Sequence, residues 1–118
     1  MTTILYGIRN CDTVKKARDW LDREGIAYEF HDYKLKGVDA GLLKAWCKEF
    51  GWERVLNRSG TTFRKLPEPE KQNLDPEKAV RLMLAQPSMI KRPIIETGSR
   101  RIVGFSPQTY AEAFGCNQ

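Results

Sequence analysis

Cys11 is the residue in this chain best placed to do chemistry. It follows the apolar run Ile4-Leu5-Tyr6-Gly7-Ile8 and precedes the amphipathic run Val14-Lys15-Lys16-Ala17-Arg18-Asp19-Trp20-Leu21. The first run reads as a strand and the second as a helix, so the cysteine is expected in the first turn of that helix. Unpaired backbone N–H groups and the positive end of the helix dipole converge there. Both favour thiolate over thiol, and the thiolate is the nucleophile. The expected chemistry is therefore attack by a thiolate. Two further cysteines, Cys47 and Cys116, form no close pair with Cys11 or with each other. Cys47 lies on an apolar helical face and reads as packing. Cys116, near the end of the chain, reads as exposed. The single histidine, His31, leaves little room for a histidine triad or a metal site, and it reads as structural.

The elements that must carry Cys11 follow from pattern. Asn10 is the expected N-cap of the first helix, with Asp12 in the first turn and Val14, Ala17, Trp20 and Leu21 on the buried face. Gly25 is its expected C′ residue. Ala27–Tyr33 is aromatic and partly alternating, which predicts a second strand. Strand, helix and strand in so short a span make a βαβ unit with a parallel pair. Leu42, Leu43, Trp46, Cys47 and Phe50 predict a further helix closed by Gly51. Asp75-Pro76-Glu77 predicts a helix start, followed by Val80, Leu82, Met83 and Leu84 and stopped at Pro87. Pro93–Thr97 and Arg101–Phe105 flank Gly98-Ser99-Arg100 and predict a β-hairpin. Ser106-Pro107 opens a last helix carrying Tyr110 and Phe114. The segment from about 38 to 86 is expected to form a helical lobe inserted into one compact α/β domain that spans 1–118. Trp20, Trp46 and Trp52 read as packing.

Composition narrows the class. With 118 residues, 30% charged and 41% hydrophobic, the chain suits one globular domain. No apolar run approaches the length of a membrane helix, and Met1-Thr2-Thr3 does not lead into a signal core. A soluble monomer in a reducing, cytoplasmic compartment is expected. The net charge of +5 fits a solvated face or an anion site better than nucleic acid, because no long Lys/Arg run or RNA-binding aromatic motif is present. Arg9, Lys15, Lys16, Arg64 and Lys91 read mainly as surface charge.

An N-terminal βαβ with cysteine at its first helix, ending in ββα, resembles the thioredoxin-like arrangement, here with a mixed four-stranded sheet. More specifically, Tyr6-Gly7-Ile8-Arg9-Asn10-Cys11-Asp12-Thr13-Val14-Lys15-Lys16-Ala17, Phe30-His31-Asp32-Tyr33, Leu56–Leu66 with Asn57-Arg58-Ser59-Gly60, and Ile90-Lys91-Arg92-Pro93-Ile94-Ile95 resemble the arsenate reductase/Spx family of bacteria, in its YffB-type branch. The resemblance runs through nearly the whole chain. It implies a cis proline at Pro93, facing the cysteine. It implies that Cys11 attacks an oxyanion or a disulfide, that arginines bind the charge, and that glutathione, with glutaredoxin, resolves the adduct. Two arginine positions map onto Arg58 and Arg92. The third falls at Gly104-Phe105-Ser106, where no arginine stands. One lost charge-assisted hydrogen bond costs about 1.5–3 kcal/mol, which argues against arsenate as the substrate. Some Spx regulators carry a CxxC switch and bind RNA polymerase. Here the second cysteine position is Val14, so resolution by that route is absent and an external thiol is expected, with Cys116 as the alternative.

The expectation is a glutathione-dependent monothiol oxidoreductase with no bound cofactor. Cys11 would be the nucleophile and Arg92 its partner. Arg58, Arg92, Pro93, Asn10, Thr13 and Lys15 would bind substrate or glutathione. The alternatives are an Spx-like partner of RNA polymerase and a weak arsenate reductase.

Overall fold

The computed structural model describes residues 2–98 and 100–115. The chain forms two compact units. One holds the residues up to Tyr33 and those from Arg92 onward, and the other spans Lys34–Lys91.

The first unit is built on strands β1 (Thr3–Gly7), β2 (Glu29–Asp32), β3 (Ile94–Thr97) and β4 (Arg100–Val103), with helix α1 (Asp12–Arg23) between the first two. The sheet order is β2-β1-β3-β4. The β1/β2 pair is parallel, and β1/β3 and β3/β4 are antiparallel. Leu5, Ile95 and Ile102 project from the sheet onto Val14, Ala17, Trp20 and Leu21 of α1 and onto Tyr110 and Ala111 of the final helix. The expected face of α1 is therefore the buried one. Trp20 meets the Tyr110 ring edge-on at 5.5 Å, and the Tyr110 hydroxyl donates to the Gly104 carbonyl at 2.7 Å.

Three boundaries differ from the sequence reading. Cys11, not Asn10, is the N-cap of α1, with extended backbone at φ −138° and ψ 123°. Its carbonyl accepts from the Lys15 N–H at 2.9 Å. No side chain caps the helix, so the first-turn N–H groups keep their affinity for an anion. The second strand is Glu29–Asp32 rather than 27–33, because β1 ends at Gly7, the partner of Asp32. Tyr33 turns instead into a short helix, Tyr33–Lys36. Arg100, expected in the hairpin turn, already pairs with Thr97, while β4 stops at Val103 because Gly104 takes φ +84°. Ser99 and Cys116 lie outside the described residues.

Gly7 marks a close approach of β1 to α1. A Cβ there would lie 2.8 Å from Val14 Cγ2 and 3.3 Å from Val14 Cγ1. Only glycine leaves room for the fully buried valine. The final helix, Pro107–Phe114, begins as expected: Ser106 Oγ accepts from the Thr109 N–H at 3.3 Å, with proline at the first helical position.

The second unit is helical. Its longer helices are Ala40–Phe50, which we call α3 after the short Tyr33–Lys36 helix (α2), and Pro76–Ala85, or α7; three one-turn helices, Trp52–Val55, Thr61–Arg64 and Glu68–Lys71, lie between them. Asp39 caps α3 by accepting from Leu42 N–H at 2.9 Å. Asp75 caps α7 by accepting from Lys78 N–H at 2.8 Å. Leu43, Trp46, Ala79, Val80, Leu82 and Met83 are buried, whereas Leu84 is 39% exposed. Its place on α7 turns it away from the face that holds Ala79 and Met83. A bridge between Leu56 and Ile90 brings the chain back, reinforced by Asn57 N–H to Met89 O and Lys91 N–H to Val55 O, both at 2.7 Å.

Candidate active site

Three segments of the first unit end at one edge of the sheet. Cys11 follows Gly7 at the end of β1, Tyr33 follows Asp32 at the end of β2, and Arg92 precedes Ile94 at the start of β3. Gly7 pairs with Asp32, and Tyr6 pairs with both His31 and Ile94, so the three segments leave the sheet side by side. The carboxyl ends of parallel strands are where open α/β sheets gather their functional groups.

The side chains meet there. Arg92 donates hydrogen bonds to both the Cys11 sulfur and the Tyr33 hydroxyl. Cys11 is half-buried and rests against the core of the first unit. Tyr33 is fully buried. Burial pushes its hydroxyl well above the usual tyrosine range, against the pull of the Arg92 charge. Burial disfavours the Arg92 cation as well, but the hydrogen bonds to Cys11 and Tyr33 outweigh it, so Arg92 holds its proton more tightly than an ordinary arginine. The Arg92–Pro93 peptide is cis, as the resemblance implies, and Pro93 is buried. Asp32 is also buried, with the exposed Arg9 side chain 4.0 Å away.

An anion entering this corner meets donors from two directions, the guanidinium and the uncapped first turn of α1. A guanidinium carries five N–H donors in a planar fork, enough to serve two protein partners and a ligand together.

The other expected site residues are placed as follows. Asn10 and Thr13 are exposed on either side of Cys11. Lys15 is exposed and pairs with Asp19 at 2.9 Å. That hydrogen bond raises its pKa, with the Asp19 charge adding to it. Arg58 belongs to the second unit, where it is exposed and its guanidinium lies 5.6 Å from the centre of the Trp52 ring. Its loop is tightened by Asn57, whose Oδ1 accepts from both the N–H of Ser59 at 3.2 Å and its hydroxyl at 2.9 Å. The position without a third arginine is committed to structure. Gly104 accepts from Tyr110, Phe105 meets the Tyr110 ring edge-on at 5.1 Å, and Ser106 caps the last helix. Among the described residues no group of three His, Cys, Asp or Glu side chains is arranged to hold a metal ion.

Tyr33 is the site residue that the sequence reading did not single out. Its signal was position: it is the first residue beyond the strand that pairs in parallel with β1, at the sheet end that carries Cys11.

A sequence model of the ArsC family matches residues 6–113. The structure superposes on that of a YffB protein with a TM-score of 0.92 at 62% identity, covering 95% of this chain and 98% of that one. It also superposes on the solution structure of an arsenate reductase (ArsC)-related protein from Brucella melitensis, with a TM-score of 0.75 at 54% identity over 97% and 95% of the two chains. An uncharacterised protein of Haemophilus influenzae is 41% identical over 110 residues, 93% of this chain and 96% of that one. The global transcriptional regulator Spx of Streptococcus mutans is 28% identical over 99 residues, covering 82% of this chain and 72% of the regulator. The fold is the thioredoxin-like one.

Proposed function

The chain belongs to the ArsC family, and on that premise we propose that it is a monothiol reductase in which Cys11 is the nucleophile and glutathione the external reductant. The observation that carries this reading is the convergence of Cys11, Arg92 and Tyr33 at one end of the sheet. The Cys11 thiolate attacks one sulfur of a substrate disulfide. A Cys11–substrate disulfide forms, and the other sulfur leaves as a thiolate that takes up a proton. Glutathione thiolate then attacks the substrate sulfur of that mixed disulfide. This frees Cys11 and leaves a substrate–glutathione disulfide. A second glutathione reduces that product to the free substrate thiol and glutathione disulfide. The net change is one disulfide reduced and two glutathiones oxidised. Arg92 steadies the thiolate and, with Asn10, Thr13 and Lys15, offers donors to glutathione carboxylates and backbone; for Arg58, in the second unit, a part in binding rests on the family resemblance alone. Val14, where a dithiol enzyme would carry its second cysteine, is fully buried. That supports an external resolving thiol, glutathione alone or relayed through glutaredoxin.

The test is turnover of a peptide disulfide with glutathione, read as glutathione disulfide formed, in parallel with intact-mass analysis. One substrate thiol disulfide-linked to Cys11 before glutathione is added, released by glutathione and abolished together with turnover in Cys11→Ser, is the expected result. Turnover that survives Cys11→Ser, or no adduct and no turnover at all, overturns the reading.

A second reading draws on the 28% identity to the Spx regulator: the chain would act by binding RNA polymerase rather than by turnover. Capture of purified polymerase subunits by the untagged chain, in the absence of any thiol turnover, would favour it.

A further inference from the structure

The helical unit carries a feature that thiol chemistry does not use. Between α3 and α7 runs a groove of 650 Å³. Its floor is apolar, formed by Cys47, Val80 and Leu84. Cys47 and Val80 are 8% and 7% exposed, whereas Leu84, at 39%, is one of two large hydrophobic side chains that stand exposed among the described residues. Burial raises the pKa of the Cys47 thiol, consistent with a floor that excludes water. The rim is basic: Lys44 and Lys48 stand one turn apart on α3, and Arg81 faces them from α7, with Glu77 the sole acid in the lining. All three cations are exposed, and none enters an ion pair among the described residues.

We propose that this groove docks an acidic amphipathic helix of a partner protein. The spacing fits that occupant. Lys44, Cys47 and Lys48 are at i, i+3 and i+4, and Glu77, Val80, Arg81 and Leu84 are at i, i+3, i+4 and i+7, so each wall is one continuous helical stripe. A third helix laid between two such stripes buries one apolar face on Val80 and Leu84, which is the helix-in-groove mode of recognition. Carboxylates on its flanks then reach the three uncommitted cations. A nucleic acid would use the same cations but gains nothing from the leucine and the valine. A second copy of this chain brings a surface that is basic overall, at net +5, which opposes a basic rim.

The experiment is fluorescence anisotropy with a labelled, stapled helix of about three turns, with leucines along one stripe and glutamates on both flanks. Saturable binding is expected. Leu84→Glu, at an exposed position, should weaken it about tenfold. The triple variant K44E/K48E/R81E should weaken it by at least as much and should bind a lysine-flanked version of the same helix instead. Circular dichroism of each variant establishes that the fold is kept. The proposal is overturned if the lysine-flanked helix or an oligothymidylate binds the unmodified chain as well as the acidic helix does. It is equally overturned if Leu84→Glu changes nothing, or if sedimentation shows a dimer that Leu84→Glu dissolves.

Discussion

Replacing Arg92 by alanine tests the site most directly, because one side chain touches both other members. The substitution removes a charged donor from the Cys11 sulfur and leaves the buried Tyr33 hydroxyl without its arginine. A hydrogen bond from a charged group is worth about 1.5–3 kcal/mol. Arg92 is only half-buried, so solvent screening puts the effect toward the lower end. At about 1.4 kcal/mol per factor of ten, Cys11 should alkylate about tenfold more slowly near neutral pH, with a hundredfold as the upper bound. The assay is iodoacetamide labelling across pH, resolved by site in a mass spectrometer, with buried Cys47 as the internal reference. Arg92→Lys separates charge from geometry. An ammonium keeps the charge but lacks the planar fork, so it should recover part of the rate and little of the coupling to Tyr33. Tyr33→Phe keeps the ring and removes only the hydroxyl. Losing that neutral partner should cost about 0.5–1.5 kcal/mol, a several-fold slowing in the same direction. If Arg92→Ala folds normally and Cys11 labels within a factor of about two of the unmodified rate, the reasoning fails, because about 0.4 kcal/mol cannot represent a charged hydrogen bond.

Further expectations follow from the first unit. Burial, reinforced by the Glu96 carboxylate that accepts its hydroxyl, pushes Tyr6 from 10.0 up to about 12. A raised folded-state pKa stabilises below the unfolded value and is lost as pH rises through the folded one. Stability should therefore fall between pH 10 and about 12, by at most about 3 kcal/mol from this residue. Denaturant melts at stepped alkaline pH should show a shallower decline in Tyr6→Phe, and an equal slope in both proteins would contradict the assignment. Gly7→Ala places a Cβ 2.8 Å from Val14, so it should cost about 1–3 kcal/mol in thermal or urea unfolding and slow Cys11 labelling by moving the start of α1. A stable, fully reactive variant would show that the approach is not tight. Ser106→Ala removes the cap of the last helix and should cost about 0.5–2 kcal/mol in the same melts, with Cys11 labelling unchanged.

What the sequence made legible was whatever local chemistry decides. The caps at Asp75 and Ser106, each followed by proline, start helices where expected, because a side-chain acceptor and a missing N–H act within one turn. The apolar face of α1 is likewise written in its spacing. Arg92 and Pro93 were legible only through the resemblance, since nothing local in Lys91-Arg92-Pro93 says that the guanidinium turns toward a cysteine some eighty positions earlier. Tyr33 was quoted within a motif but read as the last residue of a strand. That reading failed because the length of β2 is set by its partner: β1 runs out at Gly7, and the next residue of β2 is released into the site. The cap at Cys11 failed for a related reason. Asn10 is the better capping residue by type, but tertiary packing of α1 on the sheet fixes where the helix begins.

Val14 joins the packing to the chemistry. Three residues beyond Cys11, it stands where a second thiol would resolve a disulfide within the chain. Its two methyl carbons instead fill the space that Gly7 leaves open, and it is fully buried. A cysteine there would have to give up one of those contacts, opening a void between β1 and α1 at the point that sets the position of Cys11. Deleting a buried methyl-sized group costs about 1 kcal/mol before any strain is counted. The contact that fixes the helix start and the thiol that would close the redox cycle thus compete for one position. On the proposed reading this chain gives that position to packing, and leaves resolution to a thiol from solution.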